Sequence, residues 1–125
     1  ASSSPASLRT TPADYARFIA LSLGGASQGL LQEETRREML TVQSPPAPDA
    51  GGPNRPVGIG WSLEMRPGGV AFDHWGFNQR RHISSGLGDT SNRKGLVMMT
   101  NGPRGNAFMD KIGPVLTGIP YRSYV

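Results

Sequence analysis

The sequence predicts an α+β domain with two N-terminal helices, an antiparallel sheet of about four strands and one C-terminal helix. Three observations carry this. Apolar residues recur at helical spacing from Tyr15 to Leu23, alternate strictly from Val57 to Met65, and return to helical spacing from Phe108. With 125 residues and neither flank of the central loop able to build a core alone, residues 1–125 form one domain.

The elements follow in order. Residues 1–7 are small and polar and read as disordered or extended. Thr11 is the expected N-cap of the first helix, with Pro12 at its first position and Asp14 near the positive end of its dipole. Tyr15, Phe18, Ile19 and Leu23 form its apolar stripe, and Gly24-Gly25 stops it. A second helix is expected from about Gln32 to Thr41, with Leu31, Thr35 and Met39 on one side and the charged residues on the other. Residues 43–56 hold five prolines and read as a surface loop.

The sheet begins with the alternation Val57, Ile59, Trp61, Leu63, Met65 against Gly58, Gly60, Ser62, Glu64, Arg66, which predicts a strand over the whole stretch. Arg66-Pro67-Gly68-Gly69 is a turn by composition, and Val70, Phe72 and His74 then share one face of a returning strand. A third strand is expected over about Arg81 to Leu87, followed by a turn over Gly88 to Lys94. Leu96-Val97-Met98-Met99 is apolar on both faces, the pattern of a strand covered on both sides. Asn101-Gly102-Pro103 ends it, and Phe108, Ile112, Val115 and Leu116 mark the last helix, with Pro114 inside it.

Composition narrows the function classes. The chain has no cysteine, so it has no disulfide framework or thiolate metal site, and thiols give no pointer to compartment. No apolar run approaches the roughly 20 residues of a membrane span, and no secretion signal is visible at residues 1–7. Periplasmic, secreted and cytoplasmic locations all stay open. The net charge of +4 raises the question of nucleic acid, but the charges are spread and no recognised module accompanies them. Arg80-Arg81-His82 with Arg93-Lys94 is the one candidate basic cluster, expected to be a solvated rim. Asp73, His74 and His82 lack metal-ligand spacing, and neighbours on a strand point to opposite faces, so no metal or other cofactor is expected.

One nucleophile candidate is present by pattern. Ser91-Asn92-Arg93-Lys94 is a literal Ser-x-x-Lys, but it sits where a hairpin turn is expected, without the helix dipole and desolvated lysine that lower the cost of an alkoxide.

Several segments carry a family resemblance. Phe72-Asp73-His74-Trp75-Gly76-Phe77-Asn78 resembles the Lys-Thr-Gly box of serine β-lactamases and penicillin-binding proteins, in the His-x-Gly form of β-lactamase-like esterases and peptidases. Thr11-Pro12-Ala13-Asp14 and its helix, residues 34–41, Gly58-Ile59-Gly60-Trp61 and Val97-Met98-Met99-Thr100-Asn101-Gly102 resemble further family segments, in family order across residues 7–116. The resemblance implies a partial β-lactamase-like fold, the C-terminal portion of a serine hydrolase similar to class C β-lactamases, family VIII carboxylesterases and D-amino-acid peptidases.

It also implies roles. In the family a Ser-x-x-Lys serine attacks an acyl carbonyl and a Tyr-x-Asn loop assists proton transfer, both upstream of the Thr-Pro-x-Asp helix. His74 then takes the basic substrate-binding position, Gly76 lets substrate approach the strand, and the Phe77 backbone N–H is one of two oxyanion donors. Trp75 and Asn78 flank the same substrate strip. The family commonly places Gly and an aromatic residue where this chain has Arg80-Arg81, which narrows the expected substrate face. The expected partners are a small acyl substrate, the N-terminal half that carries the nucleophile, and a second copy of the chain paired through strand 95–100. The alternative is a non-catalytic binding or self-assembly domain built on the same fold.

Overall fold

The computed structural model describes residues 7–25, 29–46, 55–78 and 82–118. Helices α1 (Pro12–Ser22) and α2 (Glu33–Met39) come first. Strands β1 (Ser62–Arg66), β2 (Gly69–Asn78), β3 (His82–Asp89) and β4 (Lys94–Thr100) follow, and α3 (Gly105–Thr117) ends the fold. The strands form one antiparallel sheet in the order β1-β2-β3-β4, as the α+β reading requires.

Thr11 caps α1 through its side chain, accepting the Asp14 N–H at 3.1 Å, with Pro12 at the first helical position. The helix lies across β3 and β4. What lets it approach is a row of strand glycines: a Cβ on Gly86 would sit 2.8 Å from Tyr15 Cε1, and one on Gly95 would sit 2.6 Å from Ile19 Cγ2. The α1 side of the sheet holds the larger core, with Ile19, Leu40, Trp61, Leu63 and Phe72 buried and Tyr15, Leu23, Met39, Val70 and Val97 packed around them. Full burial of a side chain such as Phe72 is worth about 1.5–3 kcal/mol.

The opposite side is covered by α3, where Leu87 and Met109 are buried and Leu96 and Met98 pack against them. Val97 and its neighbours Leu96 and Met98 thus belong to cores on opposite faces, as the two-sided apolar run predicts.

Two expectations are corrected. The first strand is shorter than its alternation. Gly60 adopts φ +79°, the Gly58 N–H donates to the Trp61 carbonyl at 2.8 Å and the Ile59 N–H to the Met39 carbonyl at 3.0 Å. This turn leaves Val57 and Ile59 exposed and starts the regular strand at Ser62. The third strand extends to Asp89, and the turn narrows to residues 90–93.

In α3 the buried face is not that of the largest apolar side chains. Gly105, Met109, Gly113 and Thr117 are its buried residues, while Phe108, Val115 and Leu116 are exposed. The lack of a side chain at Gly105 brings the start of the helix close to the sheet: a Cβ there would lie 2.4 Å from Thr100 Oγ1. The larger side chains on the flanks are therefore turned outward. Of the expected 43–56 loop, residues 47–54 lie outside the described residues, as do residues 1–6 and the pair Arg80-Arg81.

Candidate active site

The geometry of the candidate site follows from where β2 has neighbours. Near its start, the Val70 N–H donates to Thr90 Oγ1 at 2.8 Å and the Val70 carbonyl accepts the Thr90 N–H at 3.0 Å, so Val70 turns its backbone groups toward the β3 side. Backbone groups alternate edges along an antiparallel strand, and the β2 register is continuous with both neighbours. Asp73, Trp75 and Phe77 therefore direct their N–H groups to the other edge. There β1 ends, at Ser62 opposite Asp73. The N–H groups of Trp75 and Phe77 consequently face an edge that no described strand covers.

His74 stands on the α1 side of the sheet. Its Nδ1 lies 2.9 Å from the Gly60 carbonyl oxygen. A carbonyl only accepts, so Nδ1 carries the proton and the neutral ring keeps Nε2 as its acceptor. The ring meets Trp61 edge-on, with centroids 6.4 Å apart. Tyr15, Phe18 and Trp61 form a continuing stack at 6.3 and 5.8 Å.

These groups border a groove of about 480 Å³ between α1 and the strand turn, walled by Leu8, Tyr15, Phe18, Met39, Ile59 and Trp61 and reaching His74. Among the described residues, no lysine or arginine lines it. Asp14, on its rim, is held by Thr11 and by Arg17 at 2.5 Å. Burial raises the Tyr15 phenol above its ordinary value, so this tyrosine is protonated at neutral pH and offers no phenolate base.

The predicted site residues divide by strand parity. His74, Gly76 and Asn78 share the α1 face, and a Cβ on Gly76 would meet nothing closer than Ser84 Oγ at 4.0 Å, so the surface beside His74 is open. Trp75 is on the opposite face, stacked on Phe77 at 5.8 Å. Only its backbone N–H shares the free edge with that of Phe77.

Ser91 is elsewhere. It lies in the β3–β4 turn beside Gly69, where its N–H and Oγ both donate to Asp89 Oδ1 at 2.8 and 2.5 Å. From Gly69 to His74 is roughly 17 Å along the strand, so Ser91 and His74 are not brought together. The basic cluster is also divided among its described members: Arg93 and Lys94 lie at one end of β3 and His82 at the other.

Two contributors escaped the sequence reading. One is the Gly60 carbonyl, whose position depends on a left-handed backbone that alternation hides. The other is Asp73, buried on the far face and paired with Arg55. Desolvation raises the Asp73 carboxyl above its ordinary value despite the opposing pull of Arg55. An aspartate inside an otherwise apolar strand was the available signal, since a buried charge requires a partner.

A family model described as Beta-lactamase matches residues 2–116. The comparisons with curated proteins and with solved structures gave no match.

Proposed function

Since this chain belongs to the β-lactamase family, we propose that its His74–Asn78 strip is the substrate-binding wall of a serine hydrolase site acting on an acyl ester, amide or β-lactam. In this reading the scissile carbonyl oxygen lies against the free edge of β2 and accepts the Phe77 N–H. As the carbonyl becomes tetrahedral, that N–H strengthens its bond to the developing oxyanion. His74 Nε2 accepts a hydrogen bond from the attacking hydroxyl at the same wall. Gly76 keeps the face beside it clear. The observation that carries the reading is the joint exposure of the Phe77 N–H edge and a His74 ring fixed through Nδ1.

The nucleophile is assigned to an element other than Ser91. The 125 residues contain one Ser-x-x-Lys, at Ser91–Lys94, and no Tyr-x-Asn. The Ser91 hydroxyl donates to Asp89, whose other carboxylate oxygen is held by Arg66, in a turn at the opposite end of β2 from His74. The test is a chimera in which residues 7–118 follow the Ser-x-x-Lys and Tyr-x-Asn half of a family VIII carboxylesterase. Hydrolysis of a p-nitrophenyl ester, reduced at least tenfold by His74→Ala without loss of folding, is expected. A folded chimera indifferent to His74→Ala removes the support for this wall.

A second reading, self-assembly through β4, is favoured by its outer edge. The alternation that sends the Phe77 N–H away from β3 also places the N–H groups of Gly95, Val97 and Met99 on the side of β4 away from β3. Such an edge pairs readily with another copy, and a groove of about 200 Å³ between α1 and β4 lies beside it.

A further inference from the structure

The segment that orients His74 is tied to β2 twice, on opposite faces and at consecutive residues. On the α1 face, the Gly60 carbonyl accepts from His74 Nδ1 at 2.9 Å. On the α3 face, Arg55 reaches past β1 to pair with Asp73 through its Nη2 and Asp73 Oδ1. The two anchors, Arg55 and Gly60, are joined by four intervening residues, Pro56 to Ile59. That segment runs along the outer edge of β1, where the Leu63 N–H donates to the Pro56 carbonyl at 2.8 Å and Val57 bridges to Ser62.

Arg55 and Asp73 have side chains only 14% and 4% exposed. Asp73 Oδ2 has no hydrogen-bond partner among the described residues. A buried pair with an oxygen left over is a poor source of stability, because the desolvation of both charges offsets much of their attraction. It does fix geometry, since Arg55 meets a deeply buried anion and the chain behind it follows.

We propose that Arg55 and Asp73 are positioning residues for His74: their pair holds the 56–60 segment in register so that the Gly60 carbonyl selects the Nδ1–H tautomer and leaves Nε2 as the acceptor at the groove. Neither touches substrate in this arrangement. Asp73 acts on the histidine next to it through the backbone of a neighbouring segment, around the edge of the sheet. The value of this control rests on the functional reading above, because only an acceptor at Nε2 serves the substrate wall.

The experiment reads the tautomer directly, by nitrogen-15 NMR of the His74 ring in the full chain at a pH where the ring is neutral. The wild type is expected to show Nδ1 protonated. Arg55→Met should lose that preference, at least severalfold in the ratio of the two tautomers, while far-ultraviolet dichroism stays that of the folded sheet. Arg55→Lys, which keeps the charge, should restore most of it.

A folded Arg55→Met with the wild-type tautomer ratio overturns the proposal, as does a wild type protonated at Nε2. If Arg55→Met does not fold, the same reading is made on Asp73→Asn, which keeps the side-chain shape while removing the charge, and an unchanged ratio there is equally decisive. No substrate or turnover enters the measurement. An intact tautomer with an inactive chimera would therefore count against the functional reading and leave the positioning pair standing.

Discussion

Replacing Gly86 by alanine puts a methyl group where α1 rests on the sheet. The new Cβ would lie 2.8 Å from Tyr15 Cε1 and 3.1 Å from Ile19 Cδ1. Carbon atoms at ease sit about 3.5–4.0 Å apart, so the tyrosine ring has to retreat by roughly 0.7–1.2 Å. It has little room to do so alone, because it is stacked on Phe18, which is stacked on Trp61. The helix must lift. Overpacking of this size costs about 1–3 kcal/mol, while the lower freedom of alanine in the unfolded chain returns about 0.4–1 kcal/mol. The net loss is about 1–2 kcal/mol, or a melting point lower by roughly 4–8 °C for a domain of this size. Thermal and urea melts followed by circular dichroism measure it. Gly76→Ala is the control: its methyl meets nothing within ordinary contact distance, so stability should be unchanged or slightly higher. A Gly86→Ala melting point equal to or above that of the wild type would show that α1 does not sit on β3 as described, and the Tyr15–Phe18 wall of the groove would fall with it.

Asp73→Asn should change the pH dependence of stability in a defined direction. The folded-state carboxyl is raised above the ordinary 3.8, so its contribution is fully present below that value and is lost as pH rises through the folded-state value. The advantage of the wild type over the variant should thus shrink with rising pH in urea titrations; growth with pH would contradict the burial cost. Glu33 behaves oppositely. Its hydrogen bond from Arg36 chiefly, then that from Arg37, lowers it from 4.5 to about 2. Its contribution is present above 4.5 and lost as pH falls through about 2, so the wild type and Glu33→Gln should converge there, and the effect should weaken in salt because the glutamate is exposed. Met99→Pro removes an N–H directed away from β3 and leaves the β3 ladder intact. It should convert a dimer at tens of micromolar into a monomer by light scattering, whereas a monomeric wild type would remove the basis for edge pairing.

Legibility in the sequence followed the range of the forces involved. The cap of α1, the hairpin at Pro67-Gly68 and the two-sided strand at residues 96–99 are local patterns, and each occurs where it was expected. The extent of β1 was not legible, because period-two alternation from Val57 reads the same whether the chain continues straight or turns at a left-handed Gly60. The buried face of α3 was not legible for a related reason: hydrophobicity marks Phe108, Val115 and Leu116, whereas the buried residues are Gly105, Met109, Gly113 and Thr117. In the candidate site, His74, Gly76 and Phe77 were picked out from a motif, and strand parity puts the side chains of Trp75 and Phe77 together on the face opposite His74. The Gly60 carbonyl and Arg55 belong to non-local contacts that no spacing rule reveals.

The proposal that Ser91 is not a nucleophile is tested most directly by intact-protein mass spectrometry of the 125-residue chain after incubation with a fluorophosphonate. The expected result is an unmodified mass, because losing an essential member of such a catalytic unit costs several orders of magnitude in rate. A stoichiometric adduct mapping to Ser91, and abolished in Ser91→Ala, would contradict it and make the β3–β4 turn the reactive centre.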